Sequence, residues 1–265
     1  MKHQCKSARS NKLVSLQPVR QGFGQFRGNA LEFSRQEALW QRTWDLVIAT
    51  SAVDVATLRG LIQTTCPWVV FVHENQFAYP LRKGQNKRDG ALLIRDLYAA
   101  LAADILVFNS SFNRDSFIEG SQHFLDRMPD FNAFDLRPTL QDSHVLPVGL
   151  SDALFEEAPT SSNVIPTLLW NHRWEWDKAP ETFFAALDRL EDRGVDFRIN
   201  VVGQQFRNAP AVFDRARQRH GDRIRRWGYQ QTRRDYLAAL DESDFVLSTS
   251  LHEFQGLAVM EAVAR

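Results

Sequence analysis

Four charged residues carry the most chemistry in this chain. Arg173 and Lys178 stand in LLWNHRWEWDKAPETFF (168–184), and Glu253 and Glu261 form a Glu-x7-Glu pair in STSLHEFQGLAVMEA (248–262). A loop between strand and helix that presents an arginine fork and a lysine point charge, beside the helix's own N-terminal N–H groups, suits a diphosphate. The plainer reading of the same loop is a surface salt-bridge segment with Glu175 and Asp177. In the later stretch a helix starts near Gly256, whose missing Cβ lets a ligand approach the first amides. Glu261 then falls about one and a half turns into that helix, where a carboxylate can accept both hydroxyls of a ribose. Alone, the two glutamates also fit a solvated face. With Arg173 and Lys178 on another strand end of the same sheet, they read as a nucleotide-sugar pocket.

A second polar group follows a different strand. In VFVHENQFAYP (70–80), His73, Glu74 and Asn75 come directly after a buried run and crowd the carboxyl edge of a sheet, where α/β proteins place their ligands. A lone histidine there is as often structural. FNSSFN (108–113) brings Asn109 and Ser110 to a similar edge, and either can instead cap the next helix. Gly22, Gly24 and Gly28 are spaced G-x-G-x-x-x-G rather than as a dinucleotide fingerprint, with no clear strand–turn–helix around them, so a surface loop is expected.

The elements that must position these groups alternate in type. Apolar, β-branched runs occur at 45–50, 68–73, 104–109, 144–148, 167–170, 197–203 and 245–249, separated by helical spacings such as Leu92, Ile94, Leu97 and Leu101. Such alternation predicts parallel, doubly wound sheets covered on both faces. The polar stretch 150–164 reads as a linker, giving two Rossmann-like α/β domains over 26–153 and 154–265, with 1–25 unassigned and no first strand recognised there. At 265 residues and 44% hydrophobic content the chain has enough apolar mass for a packed core, and 32 basic against 32 acidic residues give no global pull towards nucleic acid or membrane. Cys5 and Cys66 read as free thiols; no metal-ligand spacing, leader or membrane span is evident, so the expectation is a cytoplasmic protein without a metal. The arginines from Arg207 to Arg234, beside Trp227 and Tyr229, could contact RNA phosphates and bases, although a solvated helix face is the commoner meaning of such a run.

Taken in order, HENQFAYP, VFNSSFNRDSF, MPD (128–130), LLWNHRWEWDK and STSLHEFQGLAVMEA resemble the tRNA-queuosine alpha-mannosyltransferases, over roughly residues 26 to 265, and more broadly the retaining glycosyltransferases marked by Glu-x7-Glu. The resemblance implies a GT-B fold whose two domains face a cleft, a GDP-mannose donor, no metal or other cofactor, and queuosine in tRNA as acceptor. It further implies Arg173 and Lys178 at the donor diphosphate, Glu261 at the ribose, Glu253 at the sugar or its adjoining phosphate, Gly256 at the helix start, and His73 over the transferred sugar. Glu74, Asn75, Asn109 and Ser110 are candidates for the cleft. The route implied is front-face attack through an oxocarbenium-like state, in which the protein mainly stabilises the departing diphosphate.

The chain departs from that family in three places. A first strand with a Tyr-Gly-Gly-Ser-His type loop has no counterpart in residues 1 to 25, the chain stops four residues after Glu261, and Gln255 stands where an aromatic is common. The expectation is a family member lacking both ends, with two alternatives: a retaining glycosyltransferase for another acceptor (glycan, lipid or metabolite), or an inactive remnant.

Overall fold

The β-branched runs fold as parallel strands because each is apolar on both faces, and only helices packed on those faces can keep them from water. The computed structural model describes residues 12–16, 28–81, 84–85, 88–130, 135–156, 163–206 and 209–265. Nine strands are found among them: β1 (Leu13–Leu16), β2 (Leu46–Thr50), β3 (Trp68–Val72), β4 (Ile105–Phe108), β5 (His144–Val145), β6 (Thr167–Asn171), β7 (Arg198–Val202), β8 (Ile224–Gly228) and β9 (Phe245–Val246). The first five form one parallel sheet in chain order, and the other four form a second in the order β8-β7-β6-β9. In the second sheet the strand order, not the strand direction, reverses between β6 and β9, the topological switch of a doubly wound sheet.

The chain divides into two compact units, one ending at Pro147 and the next beginning at Val148. The division falls a few residues before the 153/154 boundary read from the sequence. β1 corrects another expectation: the opening segment does contain a strand, parallel to β2 with Val14 and Leu16 buried. Its four residues offer only two inward positions, too few for a period to stand out. Gly22 and Gly24 lie outside the described residues, and Gly28 precedes the short helix Asn29–Ser34.

Alternation along β6 and β7 sorts the second core into two layers. Leu168, Trp170, Ile199 and Val201 pack with Phe183, Phe184 and Phe213, from the helices Pro180–Asp192 and Val212–Arg219. Leu169 and Val202 face the opposite way, onto Ala239 and Leu240 of the helix Arg233–Asp241. With both faces covered, β6 is buried at every position, and its carboxyl end at Asn171 is left as the place to present polar groups.

In the first unit the strand ends are held by an amide chain. Asn113 donates to the Val72 carbonyl at 2.9 Å and to Asn109 Oδ1 at 2.8 Å, while Asn75 donates to Asn113 Oδ1 at 2.8 Å and accepts from the Ala78 N–H at 2.9 Å. Asn109 in turn donates to the His73 carbonyl at 2.8 Å, and Ser110 caps the helix Ser111–Leu125 through the Asn113 N–H at 3.0 Å. Asn75 and Asn109, expected as cleft candidates, are buried and hydrogen-bonded within the unit, and Ser110 takes the capping role that the sequence also allowed. Asn109 and Asn113 join the ends of β3 and β4. Replacing Asn113 with alanine leaves several buried partners unsatisfied and is expected to cost about 2–4 kcal/mol in urea unfolding; a change near zero would contradict the network.

Candidate functional site

The carboxyl edge of the second sheet opens into a cavity of about 460 Å³, lined by Asn171, Arg173, Gly203, Tyr236, Ala258 and Glu261 with the loop that follows β8. Asn171 ends β6 and donates from one amide nitrogen to the Tyr236 hydroxyl at 2.7 Å and to the Ala258 carbonyl at 3.0 Å. The Tyr236 hydroxyl donates to Glu261 Oε2 at 2.6 Å, and Arg233 approaches Glu261 Oε1 at 3.3 Å with its guanidinium over the tyrosine ring. Burial, and then the bond to Glu261, push the Tyr236 pKa well above its ordinary value, so the hydroxyl stays protonated and remains a donor. The chain of amide, phenol and carboxylate orients Glu261 before any ligand arrives.

Gly203 sets how closely two strand ends approach. Its φ is +139°, and a Cβ there would lie 1.8 Å from the His172 carbonyl oxygen. Gly256 also has positive φ, at +72°, but a Cβ on it meets only ordinary contacts with Glu253. Gly256 is therefore required for the left-handed entry into the helix Leu257–Ala264, and less for closeness.

Lys178 and Glu253 lie next to this cavity rather than in its wall, joined to it through His172. Lys178, its side chain only 8% exposed, reaches Glu253 Oε1 at 2.9 Å and Asp177 at 3.4 Å. Ser250 donates to the same Glu253 oxygen at 2.8 Å, and His172 Nδ1 stands 3.6 Å from it. His172 is buried beside Trp170, and burial, assisted by Lys178, lowers its pKa from 6.5 to about 4 against the pull of Glu253 and Asp177. It is neutral at physiological pH. Arg173 lines the cavity and pairs with Glu175 at 3.2 Å, so the salt bridge expected from the plainer reading exists on a residue that also faces the pocket.

Sequence reading named Arg173, Lys178, Glu253, Gly256 and Glu261, and all five gather at this edge. It passed over Asn171, Tyr236, Arg233 and Ser250 as site residues. Tyr236 lies on the helix Arg233–Asp241 and its partner Glu261 on the helix Leu257–Ala264, so no local spacing signals the pair. In the first unit, His73 and Glu74 line a separate cavity of about 200 Å³ with Arg95 and Asp96. Partial burial lowers the His73 pKa, and burial raises that of Asp96 despite Arg95.

The arginine run forms the expected exposed helix face only in part, at Arg215, Arg217 and Arg219 of the helix Val212–Arg219. Arg225 and Arg226 lie in β8, Arg219 pairs with Asp188, Glu191 and Asp192, Arg223 with Glu191 and Asp196, and Arg226 with Glu242. With Arg233 on Glu261, four of the eight described arginines of the run are paired with carboxylates. Arg207 lies outside the described residues.

Two parallel α/β units, the second with cations and a carboxylate around a strand-end cavity, define the GT-B glycosyltransferase fold. The chain aligns with solved structures of an alpha,alpha-trehalose-phosphate synthase from Burkholderia xenovorans (TM-score 0.58, 16% identity, 91% of this chain and 61% of that one) and a lipopolysaccharide outer core galactosyltransferase (TM-score 0.56, 13% identity, 91% and 59%). It spans about three fifths of their length. Residues 3–150 match the family profile described as tRNA-queuosine alpha-mannosyltransferase N-terminal, a match that begins well before residue 26. The Drosophila melanogaster tRNA-queuosine alpha-mannosyltransferase is 32% identical over 257 residues, covering 92% of this chain and 67% of that protein. The chain belongs to the tRNA-queuosine alpha-mannosyltransferase family.

Two outcomes test the site's construction. Gly203→Ala forces the His172 loop to shift and should cost about 2–4 kcal/mol in chemical denaturation; wild-type stability would contradict the close backbone approach. His172 titrates near 6.5 when unfolded and near 4 when folded, so its contribution is complete above pH 6.5 and is lost as pH falls towards 4. The loss amounts to at most about 3 kcal/mol. His172→Gln should therefore lose less stability than wild type between pH 7 and pH 4.5, and identical declines would refute a buried neutral imidazole.

Proposed function

We propose that this chain acts as a retaining glycosyltransferase that moves mannose from GDP-mannose to queuosine in tRNA. The observation that carries the reading is the gathering of Arg173, Lys178, Glu253 and Glu261 at one sheet edge in a member of this family. Arg173 and Lys178 hold the diphosphate, Glu261 accepts from the ribose hydroxyls, Glu253 serves the sugar, and Gly256 admits the ligand to the helix start. In the transfer, the acceptor hydroxyl attacks C1 on the face from which the diphosphate leaves. The C1–O bond to phosphate breaks, and the hydroxyl proton passes to the departing phosphate oxygen. The chain's main contribution is fixed positive charge where negative charge develops on the leaving group. No metal or other cofactor is required by this reading. The proposed compartment is the cytoplasm; no helix among the described residues is long and apolar enough to cross a membrane.

A second reading, the same donor chemistry on another acceptor, is favoured by one observation: four of the eight described arginines of that run, Arg219, Arg223, Arg226 and Arg233, are paired with carboxylates. Calorimetry separates the donor claim. GDP should bind more tightly than UDP or ADP, and Glu261→Ala should weaken it at least about tenfold through two lost charge-assisted hydrogen bonds. Equal binding of all three nucleotides would overturn the GDP assignment. Transfer of labelled mannose that proceeds equally on tRNA lacking queuosine would overturn the acceptor.

A further inference from the structure

Glu253 is held asymmetrically. Among the described residues its polar contacts all fall on one oxygen: Ser250 Oγ donates to Oε1 at 2.8 Å, Lys178 Nζ at 2.9 Å, and His172 Nδ1 lies beyond hydrogen-bond reach at 3.6 Å. The Glu253 side chain is 32% exposed, and its second oxygen is not among the buried polar atoms left without a partner. The two close donors differ in what a ligand does to them. Lys178 is a point charge on a flexible stem, and an arriving diphosphate competes with Glu253 for it. Ser250 lies three residues away in the same loop and is neutral, so a diphosphate exerts no comparable pull on it.

We infer that Ser250 is a positioning residue that keeps Glu253 Oε1 occupied and presents Oε2 as the acceptor for a hydroxyl of the donor's sugar. This rests on the reading above that Glu253 serves the sugar. Without Ser250, a diphosphate that draws Lys178 away releases the carboxylate to rotate, and the hydrogen bond to the sugar is lost while the grip on the nucleotide is kept.

The test is calorimetric titration of the 265-residue chain with GDP-mannose and with GDP, for wild type, Ser250→Ala, Ser250→Thr and Glu253→Gln, with thermal melting to confirm folding. Ser250→Ala should weaken GDP-mannose about tenfold, the size of one hydrogen bond to a charged group, and leave GDP unchanged. Ser250→Thr, which keeps the hydroxyl, should restore binding, and Glu253→Gln should match or exceed the alanine effect. If the alanine variant melts early, Ser250→Cys takes its place with the same expectation. The inference is overturned, with the reading of Glu253 intact, if Glu253→Gln weakens GDP-mannose selectively while Ser250→Ala binds as wild type. It is also overturned if Ser250→Ala weakens GDP and GDP-mannose equally without rescue by threonine, which marks a merely structural role. Wild-type binding of neither ligand, or no effect of Glu253→Gln, overturns the reading of Glu253 and the inference together.

Discussion

Burying the ammonium of Lys178 is the constraint around which the second unit's ligand edge is arranged. A charge taken out of water must be compensated or it costs several kcal/mol, and here Asp177 and Glu253 provide the compensation. Those two carboxylates come from different loops, so the loops have to be fastened together. Leu251 donates its N–H to the Asp177 carbonyl at 2.8 Å, and the Thr249 hydroxyl donates to the Lys178 carbonyl at 2.8 Å while accepting from Trp170 at 3.2 Å. The next residue, Ala179, sits at φ +45°, a left-handed conformation that costs a non-glycine residue about 1–2 kcal/mol. That strain falls where the loop turns into the helix beginning at Pro180.

Seven of the nine strands among the described residues, and the five residues that gather at the carboxyl edge of the second sheet, are legible from apolar runs and charge spacing. What escaped did so for physical reasons. β8 reads IRRWG, and its paired arginines hide the alternation because their stems can lie along the sheet while their charges reach Glu242 and Asn163. β1 is four residues long. The Asn171–Tyr236–Glu261 relay joins three elements far apart in the chain, and no spacing rule links a strand-end amide to a phenol on a later helix.

In the first unit the polar residues at the end of a buried strand divide, and His73 and Glu74 line a cavity. Asn75, Asn109 and Asn113 look the same in sequence, yet they are buried because the ends of parallel strands leave carbonyls that need donors. Asparagine supplies a donor and an acceptor in one short side chain, so it serves this role as well as it serves a ligand.

Gln255 was noted as a departure from an aromatic that is common at its position. Its amide accepts from the Val148 N–H at 3.0 Å and donates to the Val148 carbonyl at 2.8 Å, imitating a strand partner with a side chain. Val148 is where the second unit begins, and Gln255 stands two residues from Glu253. Tension applied at Val148 is therefore delivered, through a two-bond clasp, to the loop that carries Glu253. An aromatic ring cannot make such a clasp, and that loop would then be mechanically insulated from the chain leading into it.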